Sequence, residues 1–152
     1  MLKDLAVAIE NVEVPLDCNS LVEAIALRDR LDARIALAVG EFEANGFWAV
    51  DASASMTAWL RAHALMTGRS AKRLRSLAMR LRSLPVCAQA YAEGTLSGGQ
   101  IEAIVARLDD DTVEIFAAQE AELVPYLMPL TVAGVSQAMS VWVTPARARI
   151  FL

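Results

Sequence analysis

Helix start and stop signals punctuate this chain from end to end, and runs of alternating apolar and polar residues are absent. That combination restricts the fold to helices packed on helices. Leu2, Leu5, Ala6 and Ile9 form a helical stripe that Pro15 ends. Ser20 and Glu23 have the spacing of a capping box, in which two side chains satisfy backbone N–H groups at a helix start. The helix they predict runs to about Asn45, with Gly46 as its left-handed stop. Phe47 and Trp48 then read as a lid on the following helices. Asp51 or Ser53 predicts a start for a helix through Leu65, Gly68 a turn, and Ser70 the cap of a helix over 71–84 closed by Pro85. A short helix over 85–93 ends at Gly94. Ser97 and Gln100 form a second capping box before 101–108, where the glycines read as loosening the first turn. Asp109, Asp110 and Asp111 place negative charge at the mouth of a helix to about Val124. After a break at 127–129, Thr131–Val143 reads as the last helix.

The expected architecture is therefore all-α, a multi-helix orthogonal bundle with a helix-turn-helix-like pair at about 53–84. Residues 1–18 read as an N-terminal helix and linker, 19–143 as the main helical domain, and 144–152 as a divergent tail. A chain of 152 residues can bury a core without disulfides or metals. Its two cysteines, Cys18 and Cys87, have no Cys or His at ligand spacing, and no secretory pattern opens the chain. They read as free, mostly buried thiols in a reducing cytoplasm. Leu123–Ala146 has no charged residue, but Pro125, Pro129 and Pro145 interrupt it. The longest proline-free piece falls short of the ~20 residues a span requires, so no membrane segment is expected.

Charge is sorted unevenly. Between Ala52 and Ala92 stand Arg61, Arg69, Lys72, Arg73, Arg75, Arg80 and Arg82, with no Asp or Glu among them. The remaining chain carries seven basic and 18 acidic residues, so the net charge of −4 hides a +7 segment in an acidic body. On a helical wheel Leu74, Leu77, Leu81 and Leu84 fall within an arc of about 80°. The cations spread over the opposite half, with no acid at i±3 or i±4 to neutralise them. A second amphipathic helix after a short turn is the element that enters the major groove in helix-turn-helix proteins. These seven residues are the DNA-binding candidates. Two other readings stay open: a solvated basic face, and a docking surface for an acidic partner or for the chain's own acidic helices.

Catalytic chemistry is not legible. The one histidine, His63, reads as a surface or core-edge residue, and no nucleophile elbow accompanies it. The Asp109–Asp111 run lacks the spaced ligands of a calcium loop, and Gly98-Gly99 lacks the Lys-Ser/Thr of a phosphate loop. The expectation is a non-enzyme without metal, cofactor or small-molecule substrate. Its partners would be DNA, or further copies of itself through exposed apolar helices.

Several motifs carry a family resemblance: "AWLRAH" at 58–63, the arginine-rich helix ending in Leu84-Pro85, and "AEGTLSGGQIEAI" at 92–104. Together they resemble the 13E12 repeat family, also described as domain of unknown function 222, over roughly 20–142. The resemblance implies a helical domain that often precedes an HNH endonuclease domain in mobile or repeated elements. It implies no activity for the helical part, and the several His and Asn residues of HNH chemistry are not in this chain. The apolar Ile150-Phe-Leu152 end departs from the family pattern and reads as a truncated or frame-disrupted copy. A protein-interaction module and a relic without function are accordingly the alternatives to DNA binding.

Overall fold

In the computed structural model, which describes residues 1–150, the chain is an all-α multi-helix bundle, with no strand among the described residues. The helices are α1 (Leu2–Asn11), α2 (Cys18–Ala44), α3 (Phe47–Val50), α4 (Met56–His63), α5 (Gly68–Arg82), α6 (Pro85–Glu93), α7 (Gly98–Val105), α8 (Val113–Leu127) and α9 (Val132–Ile150). The sequence places most of these elements, but several caps differ from expectation. Asp17, not Ser20, caps α2, and its carboxylate accepts from the Ser20 amide at 2.8 Å. Ser55 rather than Asp51 or Ser53 caps α4. Asp51 instead accepts from the Trp59 indole at 2.8 Å. Proline positions also mislead: α8 continues through Pro125, and α9 continues through Pro145 to Ile150, past the expected stop at Val143.

Two apolar clusters hold the bundle. The larger collects Leu81, Leu84, Leu96, Ile101, Ile104 and Phe116 with residues of α2, α6, α8 and α9. The smaller joins Val39, Met56, Leu60, Ala71 and Ala78, with Phe42, Trp48 and Trp59 around it. Helix α5 lies between them, and Leu74 touches both. Where α2 crosses α5 the contact is tight. A Cβ at Gly40 would stand 3.2 Å from the Ala78 carbonyl and 3.1 Å from Arg82 Cγ.

Polar side chains from distant positions close several helix ends. Glu120 of α8 is 1% exposed and accepts from the amides of Val86 (2.9 Å) and Cys87 (3.1 Å) at the start of α6. Asp29 of α2 accepts from the Gly98 amide at 3.0 Å. The capping box of Ser97 and Gln100 is present as expected. The Gln100 side chain also donates to the carbonyls of Met128 and Leu130, closing the end of α8. Neighbouring glycines act differently from expectation. Rather than loosening a turn, they permit close approach: a Cβ at Gly99 would lie 2.9 Å from Val132 Cγ2, and one at Gly98 3.1 Å from Asp29 Oδ1.

Cys87 is buried, whereas Cys18 is exposed, against the expectation of two buried thiols. The first turn of α2 lies outside both apolar clusters and covers nothing. No described helix is long and apolar enough to cross a membrane. The expectation for the apolar end falls partly on residues 151–152, outside the described residues.

Candidate nucleic-acid interface

Helices α4 and α5 form the expected pair, but the turn is made differently. Residues 64–67 connect them, and Leu65, not Gly68, adopts the left-handed backbone at φ 55°. Gly68 is the first residue of α5. Thr67 caps that helix in place of Ser70, its hydroxyl accepting from the Ser70 amide at 3.1 Å. Leu60, Ala71, Ala78 and Leu81 face inward. Leu74 and Leu77, expected on the same buried stripe, are only partly covered. This anchorage fixes which part of α5 can meet a ligand: its first two turns, Gly68 to Ser76.

The seven candidate cations do not act as one face. Arg75 donates from Nε to both carboxylate oxygens of Glu43, at 2.8 and 3.2 Å. Arg80 pairs with Asp110 at 2.9 Å. Arg82 turns back over α2 and donates to the Gly40 carbonyl at 2.9 Å. The C-terminal half of α5 is thus held by the chain's own acceptors, one of the readings left open above. No i±3 or i±4 pattern could reveal these acceptors, because they lie on α2 and in the 109–111 segment. Asp110 is drawn out of the acidic run for this purpose. Asp109 instead accepts from the amides of Asp111 and Thr112 and pairs with Arg147. Against the upward push of burial, those hydrogen bonds hold the Asp109 carboxyl below the usual carboxylate range.

The other four cations gather at the start of α5. Arg61 of α4 lies beside the first turn of α5, its Nε 3.9 Å from where a Gly68 Cβ would stand. Together with Arg69, Lys72 and Arg73 it lines an open concavity of about 540 Å³, completed by Thr57 and Gly68. No carboxylate among the described residues lies within 4.0 Å of Arg61, Arg69 or Lys72. Arg73 stands 3.9 Å from Glu102 of α7, with both side chains well exposed, a contact of little strength. The start of α5 also carries the positive end of the helix dipole. His63 stacks on Trp59 with ring centroids 4.9 Å apart, which makes it part of the support for α4.

A second concavity, about 970 Å³, lies on the other flank of the same two turns. Its lining brings Lys72 and Arg73 together with Asp32 and Glu102, and includes Leu74 and Leu77. Tyr91 at its base is pushed up to about 12 by burial and by the carboxylates of Asp32, Asp29 and Glu102. Asp32 and Glu102 in its lining make this groove a poorer anion receptor than the first. Among the described residues, no three His, Cys, Asp or Glu side chains are grouped to hold a metal ion.

Comparison with known proteins yields one match. The family model described as "Domain of unknown function (DUF222)" covers residues 18–143. That range takes in α2 to α8, most of α9 and the whole cationic cluster, and leaves α1 outside. No curated protein and no solved structure matches.

Proposed function

The chain belongs to the DUF222 family, and from that premise we propose that its helical domain is a non-catalytic module that binds duplex DNA through the start of α5. The observation that carries this reading is the convergence of Arg61, Arg69, Lys72 and Arg73 on one exposed concavity, three of them with no carboxylate partner among the described residues. Like charges held this close repel, and a phosphate backbone relieves that repulsion by replacing small counterions. The placement also suits groove entry. In helix-turn-helix proteins the first residues of the second helix approach base edges while the preceding helix crosses the backbone. Here the start of α5 would approach the groove, with Arg69, Lys72 and Arg73 reaching phosphates along its edges and Arg61 on α4 taking another. Arg75, Arg80 and Arg82 are excluded from contact, since each already serves an acceptor within the bundle. In this reading the domain is the DNA-engaging part of a mobile-element or repeat-associated protein, and any cleavage belongs to a separate nuclease module.

Fluorescence anisotropy with labelled duplex DNA across a salt series tests the proposal. Three to four phosphate contacts predict a slope of about −3 to −4 in log K against log salt, at roughly −0.9 per contact. Absence of binding at low salt would sink it.

A further inference from the structure

The groove lined by α2, α5 and α7 holds a polar group that the bundle leaves unused. Tyr91 enters its lining from α6 and is only 4% exposed. Tyrosine hydroxyls buried to that degree normally find a partner. This one makes no hydrogen bond among the described residues, although every fully enclosed side-chain nitrogen or oxygen has one. The Tyr91 oxygen therefore opens into the groove. The carboxylates around it are not bonded to it either. Asp29 accepts from the Gly98 amide at 3.0 Å and stands 3.7 Å from Arg28. Asp32 has no cation within 4.0 Å among the described residues, and Glu102 has the exposed Arg73 at 3.9 Å.

Charge divides this groove by helix. Its carboxylates, Asp32 and Glu102, come from α2 and α7, and its cations, Lys72 and Arg73, from α5. After burial, the groups that act on the Tyr91 hydroxyl are Asp32, Asp29 and Glu102, opposed by Arg28. The hydroxyl thus sits on the carboxylate side. Two carboxylates and a phenolic oxygen together can accept the three N–H bonds of an ammonium group. Much of the remaining lining is apolar: Ile35 is 43% exposed, and Leu74, Leu77 and Val105 are half-buried. From Ser70 to Leu77 the groove follows α5 for about 10 Å, at 1.5 Å per residue. That is the length of about three extended residues.

We propose that this groove binds a short extended peptide segment carrying a lysine and an acidic residue beside apolar ones. The lysine ammonium bonds the Tyr91 hydroxyl between Asp32 and Glu102, the acidic side chain meets Lys72 and Arg73, and the apolar side chains lie on Leu74 and Leu77. An anionic ligand would be repelled by Asp32 and Glu102, and a purely apolar one would strand the Tyr91 hydroxyl without water or partner. A ligand of both signs leaves neither cost. The inference does not rest on the DNA reading, and its test contains no nucleic acid.

Fluorescence anisotropy of a labelled peptide, acetyl-Leu-Lys-Leu-Glu-Leu-amide, tests it on the whole chain. Saturable binding is expected. Tyr91→Phe should weaken it about tenfold, the scale of one hydrogen bond to a charged group. The urea midpoint of that variant should not fall, because the hydroxyl it removes bonds nothing in the bundle. Asp32→Asn should weaken binding about two- to fivefold, as for an exposed ion pair, and Glu122→Gln should leave it unchanged. A peptide with norleucine in place of lysine should lose about as much affinity as the Tyr91→Phe variant does. Absence of saturable binding overturns the inference, as does binding indifferent to Tyr91→Phe or to the norleucine exchange. Displacement of the peptide by an equal concentration of n-butylammonium chloride would assign the site to a free amine and overturn the peptide.

Discussion

Glu120 is the residue whose loss the bundle should feel most. It is fully buried, and its two oxygens accept the Val86 and Cys87 amides at 2.9 and 3.1 Å. Pro85, with no N–H of its own, opens α6, so these are the first two amide donors of that helix. Glu120→Ala leaves both without an acceptor in a place water does not reach. Each such orphan costs about 1–3 kcal/mol, and the deleted side chain leaves a void besides. A total of roughly 3–4 kcal/mol follows, a large part of the 5–15 kcal/mol that keeps a domain folded. In urea, with a slope of about 2 kcal/mol per M, the midpoint should fall by about 1.5–2 M. In a thermal scan the loss corresponds to roughly 10 °C. Glu120→Gln keeps the volume and one acceptor, and should lose about half as much. Circular dichroism at equilibrium in urea measures both. A Glu120→Ala midpoint within about 0.3 M of wild type would refute the idea that this carboxylate anchors α6 beneath α5, using the same slope.

Three further outcomes are expected. Gly99→Ala puts a methyl where only 2.9 Å separates it from Val132 Cγ2; it should cost about 1–2 kcal/mol in urea unfolding, and Val132→Ala in the same chain should recover most of the loss. Glu102→Gln removes the carboxylate that stands 3.9 Å from Arg73 and should tighten DNA binding about two- to fivefold, the scale of an exposed ion pair. Glu122→Gln, with the same change in net charge, should leave the affinity as it was. Thiol titration should find one fast group, the exposed Cys18, and one silent until urea is added: Cys87 is buried and its thiol is raised well above its ordinary value by burial and then by Glu120.

Local chemistry made the helices legible, and long-range pairing decided what the sequence could not show. The α5 wheel follows from residues three and four apart, so Leu81 and Leu84 could be placed inward from the sequence, and they are buried. The capping box of Ser97 and Gln100 was legible for the same reason. Cap choice was less so: Asp17 and Ser20, or Ser53 and Ser55, are all good helix starters, and the structure uses Asp17 and Ser55. Prolines 125 and 145 read as breaks because an interior proline loses a hydrogen bond, yet α8 and α9 run through them. The cationic face was half legible. All seven cations are visible in the sequence, but Glu43, Gly40 and Asp110, which neutralise or occupy three of them, lie 30 to 42 positions away. Nothing local marks such pairs. Glu120 likewise looks like an ordinary surface acid in α8 until α6 is laid across it.

The division of those seven cations into engaged and open sets is the central claim, and one comparison tests it directly. The salt dependence of duplex binding should be measured for the wild type, for Arg69→Ala with Lys72→Ala, and for Arg75→Ala with Arg82→Ala. Each pair removes the same charge. Losing the open pair should make the slope shallower by about two contacts, at ~0.9 per phosphate, whereas losing the engaged pair should leave the slope unchanged. Equal slopes for the two pairs, or a wild type that binds no duplex at low salt, would contradict the account.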